Sequence, residues 1–156
     1  QVRVVMLGSG DYEYEDFFRG VAHRHPDKFR LSLGFIPELS RKIYAGSDML
    51  LMPSRSAPCG LSQLIALRYG TIPIVRETGG LKDTISDCGD KQGNGFTFKT
   101  YNAHDMLWAI NRSIDLFYNN KPEWRKLVTR AMECDHSWNN SALQYINMYN
   151  GISEFN

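Results

Sequence analysis

The sequence lacks long hydrophobic runs and any excess of charge of one sign. None of its apolar runs approaches the roughly 18 residues that a membrane-spanning helix needs. Its 18 basic and 17 acidic residues leave a formal net charge of +1, and like charges never form a long block. This balance provides no field for nucleic acid or for an anionic membrane surface, so we expect neither as a partner.

Cysteine and histidine are also scarce. Cys59, Cys88 and Cys134 are far apart and without Cys-x-x-Cys spacing, which argues against disulfides and favours a reducing, cytoplasmic compartment. The histidines show no metal-ligand spacing beyond His23 and His25, which we interpret as a solvated helix end. A catalytic thiol at Cys59 is disfavoured because no histidine partner is recognisable nearby. The sequence therefore predicts no metal site.

The chain has the size and composition of one ordered domain. Its 156 residues are enough to bury roughly two-thirds of the unfolded surface. The composition is 42% hydrophobic and 22% charged, which is typical of a globular protein. No signal peptide is visible, and the chain opens on Gln1 inside a strand pattern without a methionine. That opening suggests a piece of a longer protein.

Short apolar runs alternate with amphipathic segments along the first hundred residues. The predicted strands are residues 2–7, 29–35, 48–52, 72–75 and 94–98. The predicted helices are residues 12–25, 37–44 and 60–69, a helix after Gly80, and then 102–118, 122–134 and 138–149. This alternation predicts βαβ units, an α/β fold with one Rossmann-like parallel sheet flanked by helices, and a helical C-terminal tail. The polar segment 86–94 is interpreted as a mobile surface loop.

Three glycine-bearing turns follow predicted strands and precede predicted helices. Residues 7–11 place Gly8 and Gly10 there, but Glu13 stands where a dinucleotide fingerprint needs its third glycine, so a tight turn is favoured. In residues 53–64 a loop leads into a predicted helix that begins near Gly60. Gly60 has no Cβ to block a diphosphate, and the first N–H groups of the helix have no partners within it. The Ser62 hydroxyl lies in the same first turn. Residues 76–83 form the third turn.

The coincidence of the three turns carries more weight than any one of them. Turns at the carboxyl ends of successive parallel strands would lie on one edge of the sheet, where open α/β sheets bind ligands. The sequence therefore predicts a nucleotide or sugar-phosphate site. Five aromatic residues of the helical region are interpreted as helix and core packing rather than as a sugar platform; they are Trp108, Phe117, Tyr118, Trp124 and Trp138.

Residues 52–64 and 66–84 closely resemble the glycogen and starch synthases that use ADP-glucose. Supporting matches lie at residues 7–11, 43–49, 93–96 and 137–145, so the resemblance covers nearly the whole chain in order. It implies a GT-B-type glycosyltransferase whose two domains are each Rossmann-like. Residues 1–156 would form part of the C-terminal, nucleotide-sugar-binding domain, with residues 137–150 as the terminal cross-over helix.

The family transfers glucose from ADP-glucose to the nonreducing end of an α-1,4-glucan with retention, and it needs no metal or cofactor. The resemblance implies that residues 60–62 contact the donor diphosphate, that residues 58–60 line the glucose pocket, and that Phe35 packs on adenine. Residues 78–80 would lie on a neighbouring loop of the cleft. The implied donor-binding positions are Phe35, Pro58, Cys59, Gly60, Leu61, Ser62, Thr78, Gly79 and Gly80. The implied location is the cytoplasm, or the plastid in a plant.

Two departures from the family matter. Ala57 stands where the family has a glutamate that contacts the transferred glucose, and Ser56 is a milder change. The family's Arg/Lys pair that neutralises the diphosphate, and its acceptor-binding N-terminal domain, would both precede Gln1. We therefore expect this chain to bind ADP-glucose weakly at best and to transfer no glucose alone.

Several alternatives remain open at this point. Ala57 favours a catalytically impaired module that binds nucleotide sugars. A UDP-glucose donor is compatible with the same residues, because a stacked aromatic residue tolerates both bases. An unrelated α/β fold would require the block at residues 58–64 to be a coincidence.

Overall fold

A computed structural model describes residues 2–153, which divide between Ser47 and Asp48 into two compact units. Both units have strands that run parallel and are connected through helices. The predicted α/β class is therefore confirmed. Among the residues described, no helix is long and apolar enough to cross a membrane.

The first unit is a βαβ element followed by one more helix. Its elements are β1 (Val4–Gly8), α1 (Tyr12–Arg24), β2 (Phe29–Leu33) and α2 (Pro37–Gly46). Strands β1 and β2 pair in parallel, with Val4 opposite Phe29 and Gly8 opposite Leu33. Pro37 occupies the first turn of α2, where its missing N–H costs no helical hydrogen bond.

Up to residue 153, where the described part of the chain ends, the second unit contains a three-stranded parallel sheet in the order β3-β4-β5 and five α-helices. Its strands are β3 (Met49–Met52), β4 (Ile72–Arg76) and β5 (Phe96–Phe98). Its helices are α3 (Ser62–Tyr69), α4 (Gly79–Thr84), α5 (Ala103–Asn119), α6 (Lys121–Glu133) and α7 (Trp138–Ser153). A single 3₁₀ turn, Cys88–Asp90, precedes β5.

The core of the second unit forms around the central strand β4. The first four residues of β4 are fully buried, as expected for a parallel strand covered on both faces. Leu67, Leu81, Phe96 and Leu127 are also buried, and each such side chain contributes about 1.5–3 kcal/mol relative to exposure. This core fixes β3 and β4 side by side, and with them the loops that leave their carboxyl ends.

The aromatic residues of the helical region divide into two groups. Trp124 is buried and packs edge-on against Phe117, with ring centroids 5.1 Å apart. Helix and core packing is thus confirmed for those two. The prediction of core packing is wrong for Trp108 and Trp138, whose exposed fractions are 57% and 89%. Tyr118 is also exposed, at 47%.

Local sequence features predict most helix ends correctly. The Asn102 side chain accepts a hydrogen bond from the Asp105 N–H at 2.8 Å and caps α5, whose start was predicted at residue 102. Gly70 ends α3 in the left-handed region at φ 74°. Helix α3, however, begins at Ser62 and not at Gly60, because Gly60 has φ 77° and cannot belong to a right-handed helix.

Two larger expectations need correction. The strands form two separate sheets, because β1 and β2 pair with each other and β3 to β5 pair among themselves, whereas the alternating pattern predicted one sheet. Segment 86–94 is also held in place and is not an open loop. Asn94, its last residue, accepts a hydrogen bond from the N–H of Ser86, its first residue, and donates one to the carbonyl of Thr84 at the end of α4.

Candidate functional site

The candidate site is built on two loops that leave neighbouring strands at the same edge of the second sheet. Strands β3 and β4 run parallel, and Met52 lies opposite Val75. The loop of residues 53–61 follows β3, and residues 77–78 follow β4 and lead into α4. The prediction that these two turns lie side by side is confirmed. The third turn, residues 7–11, follows β1 in the first unit, and a common edge for all three turns stays a prediction.

The loop of residues 53–61 touches the first turn of α4 through its backbone, and two glycines of α4 make this contact possible. The Gly80 N–H donates a hydrogen bond to the Ala57 carbonyl at 2.9 Å. A Cβ added at Gly79 would overlap the Ala57 carbonyl, and one added at Gly80 would overlap the Cys59 carbonyl. Gly79 also has φ 45°, which side-chain-bearing residues rarely adopt. Loop packing therefore accounts for both glycines.

A buried glutamine holds the loop of residues 53–61 in place through hydrogen bonds. Gln63 has no exposed surface, and its Nε2 donates to the carbonyls of Cys59 and Gly60 at 3.1 and 3.0 Å. The same Nε2 lies 3.3 Å from Thr84 Oγ1, whose hydroxyl donates to the Gly80 carbonyl at 2.6 Å. The side chain thus links the first turn of α3 to the loop of residues 53–61 and to the first turn of α4.

The backbone at Gly60 and Leu61 has the geometry of an anion-binding concavity. Gly60 is in the left-handed region and Leu61 in the right-handed helical region. Successive residues of opposite handedness point their N–H groups into one concave surface. Within residues 2–153, the N–H groups of Gly60, Leu61 and Ser62 have no hydrogen-bond acceptor. Helix α3 begins at Ser62, and its dipole adds partial positive charge at the same place.

The start of the loop is held by a cation. Arg76, the last residue of β4, donates from Nη1 to the Arg55 carbonyl at 2.9 Å and is 3.4 Å from the Ser54 carbonyl. Its guanidinium lies over the Tyr101 ring, 5.5 Å from the centroid. Arg76 thereby fixes the path of residues 54–55 where the chain leaves the sheet.

The predicted residues of this loop differ in exposure. Pro58, Cys59 and Leu61 are exposed, and Leu61 at 70% is an unusually accessible leucine. Ala57 is half-buried and packs against the core cluster, so its methyl group is partly covered. No cluster of three metal-ligating side chains occurs in the part of the chain that the structure describes.

Phe35 lies in the first unit. It follows β2 and Gly34, which has φ 112°, and its ring is 92% exposed. An exposed phenylalanine is available for stacking, and its role as the adenine platform stays a prediction. The first unit also has a cavity of about 260 Å³ beside the turn of residues 8–10, lined by apolar side chains that include Leu7, Phe18 and Leu33.

The sequence pattern predicts no individual role for Gln63, Thr84 or Arg76. Gln63 and Thr84 belong to the blocks that carry the resemblance, so the positions were visible there, but nothing in the spacing shows which way a side chain points. The Asp87–Arg112 ion pair was also not predicted. Arg112 donates to both carboxylate oxygens of Asp87, at 3.0 and 2.5 Å, across 25 residues of sequence.

The environment of Asp87 and Cys88 shifts both pKa values. Burial opposes ionisation of Asp87, but hydrogen bonds from Arg112, Thr97 and Gly89 outweigh it and hold the pKa below its ordinary value. Burial, reinforced by the Asp87 charge, raises the pKa of Cys88 to about 11. Cys88 is therefore a neutral thiol at physiological pH and a poor nucleophile.

Residues 1–131 match the family described as Glycosyl transferases group 1. The chain is 54% identical over 155 residues to a glycogen synthase of Bacillus cereus (strain ZK / E33L), covering 98% of this chain and 32% of that protein. It is 50% identical over 153 residues to a glycogen synthase of Desulfitobacterium hafniense, covering 97% and 33%. The chain thus spans about a third of the length of these relatives.

Solved structures agree with the sequence relatives. The catalytic domain of starch synthase IV from Arabidopsis thaliana, bound to ADP and acarbose, superposes with a TM-score of 0.85 at 38% identity, covering 95% of this chain and 32% of that one. Sucrose-phosphate synthase from Thermosynechococcus elongatus has a TM-score of 0.65 at 19% identity, covering 99% and 39%, and shows a common fold. The resemblance to glycogen and starch synthases is confirmed.

Proposed function

Because this chain belongs to the group 1 glycosyl transferases, we propose that it is the nucleotide-sugar-binding part of a glycogen or starch synthase. It spans about a third of its glycogen synthase relatives, so the activity is proposed for a longer polypeptide that supplies the acceptor-binding domain. The observation that carries the proposal is the group of three backbone N–H groups at Gly60, Leu61 and Ser62, which lack an acceptor in the described chain.

These N–H groups suit the diphosphate of a sugar nucleotide. A concave row of amides at a helix start binds phosphate oxygens without needing a metal. The same amides act on the leaving group, since they stabilise the negative charge that accumulates on the diphosphate as the glycosidic bond breaks. They are fixed before the ligand arrives by Gln63 below the loop and by the glycines of α4 beside it.

The finer assignment is ADP-glucose as donor and an α-1,4-glucan as acceptor, with retention of the anomeric configuration. The superposed starch synthase was solved with ADP and acarbose, which supports an adenine nucleotide and a glucan-like acceptor for this chain as well. We assign Phe35 to the adenine, residues 60–62 to the diphosphate and residues 58–60 to the glucose. Residues 78–80 shape the loop through their packing and contact the donor less directly. For such an enzyme we propose a location in the cytoplasm, or in the plastid of a plant.

Ala57 favours a second candidate, a module that binds the donor but transfers glucose poorly. An alanine provides no carboxylate to balance the positive charge that develops on the sugar. Loss of one group that stabilises a transition-state charge costs on the order of a hundred- to a thousandfold in rate. We therefore propose that this chain binds the donor and that transfer by the chain alone falls below detection.

Calorimetric titration with ADP tests the diphosphate site. The Gly60→Ala variant places a Cβ 2.5 Å from Gln63 Oε1 and strains a residue at φ 77°. We expect ADP affinity to fall roughly tenfold or more, because the amide concavity is deformed. The matched control is Gly46→Ala, whose new Cβ meets nothing within 4 Å. Equal ADP affinity in the wild type and in Gly60→Ala would overturn the assignment of the diphosphate to this loop.

A further inference from the structure

The side chain of Gln63 is fully buried in the first turn of α3, directly beneath the proposed diphosphate loop. Its neighbours fix the orientation of its amide. The Cys59 and Gly60 carbonyls only accept hydrogen bonds, and the Thr84 hydroxyl already donates its proton to Gly80. The group that faces them must therefore be the donor Nε2.

The opposite end of the same amide is without a partner. Gln63 Oε1 is buried and accepts no hydrogen bond within the described part of the chain. A buried polar atom in this state costs stability, on the order of 1–3 kcal/mol for such groups in general. Packing alone does not explain a glutamine here, because an apolar side chain of the same length would fill the space without that cost. The benefit must come from the Nε2 end.

Peptide geometry connects Nε2 to the ligand side of the loop. The peptide bonds of the described chain are all trans, so each carbonyl points opposite to the N–H of the following residue. When Gln63 holds the Cys59 carbonyl inward, the Gly60 N–H is directed outward. When it holds the Gly60 carbonyl inward, the Leu61 N–H is directed outward. These two N–H groups lack an acceptor within residues 2–153.

We propose that Gln63 is a positioning residue that orients the Gly60 and Leu61 peptide groups so that their N–H groups face the donor diphosphate. This inference rests on the proposed function. Rotation of either peptide plane would present a carbonyl oxygen to the diphosphate and replace an attraction by a repulsion. Gln63 touches no ligand itself and acts through the two peptide groups that it holds.

Two variants separate this role from simple packing. Gln63→Met keeps the length of the side chain and removes the donor, and Gln63→Glu keeps the shape but turns an acceptor toward the two carbonyls. The matched control is Gln144→Met, since Gln144 is exposed on α7.

The readout is the affinity for ADP compared with that for adenosine, together with the melting temperature. For Gln63→Met we expect roughly a tenfold loss for ADP and an unchanged affinity for adenosine, and for Gln63→Glu a larger loss. A Gln63→Met protein that folds and binds ADP like the wild type would overturn the inference. Equal losses for ADP and adenosine would also overturn it, since they indicate general damage.

Hydrogen exchange on the unaltered protein provides a test that does not depend on how the variants fold. Without ligand, the Gly60 and Leu61 amides should exchange quickly while the Gln63 side-chain amide is protected. Saturation with ADP should then protect Gly60 and Leu61. Slow exchange of these two amides in the free protein would contradict the inference. Failure of the wild type to bind ADP would instead remove the proposed function on which it rests.

Discussion

At the scale of single residues, position 57 combines a backbone that holds the loop with a side chain that provides no carboxylate. Ala57 contributes its carbonyl to the contact with Gly80, and its methyl group packs against the core. The backbone of this position is thus used to hold the loops together, while its side chain provides no charge to the ligand. The absence of the carboxylate was readable from the sequence. The packing of the methyl group was not, since it depends on residues that are distant along the chain.

Restoring the carboxylate should change sugar recognition. We expect Ala57→Glu to raise the affinity for ADP-glucose over that for ADP by roughly tenfold, because hydrogen bonds to a charged group contribute about 1.5–3 kcal/mol. The affinity for ADP alone should stay within about twofold, which corresponds to a few tenths of a kcal/mol. Competition titrations with the two ligands measure this ratio. Ala57→Gln is the control of nearly equal size without charge. An unchanged ratio in Ala57→Glu would show that position 57 does not face the sugar.

At the scale of elements, the sequence predicts the existence and type of nearly every helix and strand. Capping residues, such as Asn102 and Gly70, mark ends that depend on local chemistry alone. The start of α3 was placed two residues early because a glycine before a helix is equally compatible with a helical and a left-handed backbone. The φ of 77° at Gly60 becomes visible only once Gln63 and the α4 loop are in place.

The connection between α4 and β5 is a second segment whose conformation the local sequence does not predict. Its polar, glycine-rich composition is typical of a loose loop, but Asp87 ties it to Arg112 of α5 and to the Thr97 N–H of β5. Arg130 of α6 also donates to the Gly93 carbonyl at 3.1 Å. These partners are 10 to 37 residues away, so no local pattern predicts them.

The Asp87–Arg112 pair should make the stability of the second unit depend on pH. The pKa of Asp87 is lowered in the folded state, so its ionised form stabilises the fold. That contribution is fully present above the unfolded pKa of about 3.9 and is lost as the pH falls through the folded pKa. We expect Asp87→Asn to cost about 1 kcal/mol at neutral pH, a modest value because the pair is partly exposed.

Urea unfolding at several pH values measures this effect. The difference in unfolding free energy between the wild type and Asp87→Asn should be largest at neutral pH and should shrink toward zero below the folded pKa. Asp115→Asn is a suitable control, since Asp115 is on the exposed side of α5 and its hydrogen bond at 2.6 Å is to Asn119 of the same helix. A difference that is independent of pH would show that Asp87 acts through its shape and not its charge.

At the scale of the whole molecule, composition and alternation predicted the α/β class and the parallel direction of the strands. They did not predict which strands pair, because hydrogen-bond partners in a parallel sheet are set by tertiary contacts and not by local pattern. The division into β1-β2 and β3-β4-β5 is therefore a structural result. The role of residues 137–150 as a cross-over helix stays a prediction, and α7 extends to Ser153.

We propose that three backbone amides at the start of α3 bind the diphosphate of a sugar nucleotide. The most direct measurement is an amide NMR titration of the ¹⁵N-labelled chain with ADP and, in parallel, with adenosine. We expect ADP to shift the Gly60, Leu61 and Ser62 resonances more than any others of the second unit, and adenosine to leave them in place. Saturation with ADP while these three resonances stay unmoved would contradict it.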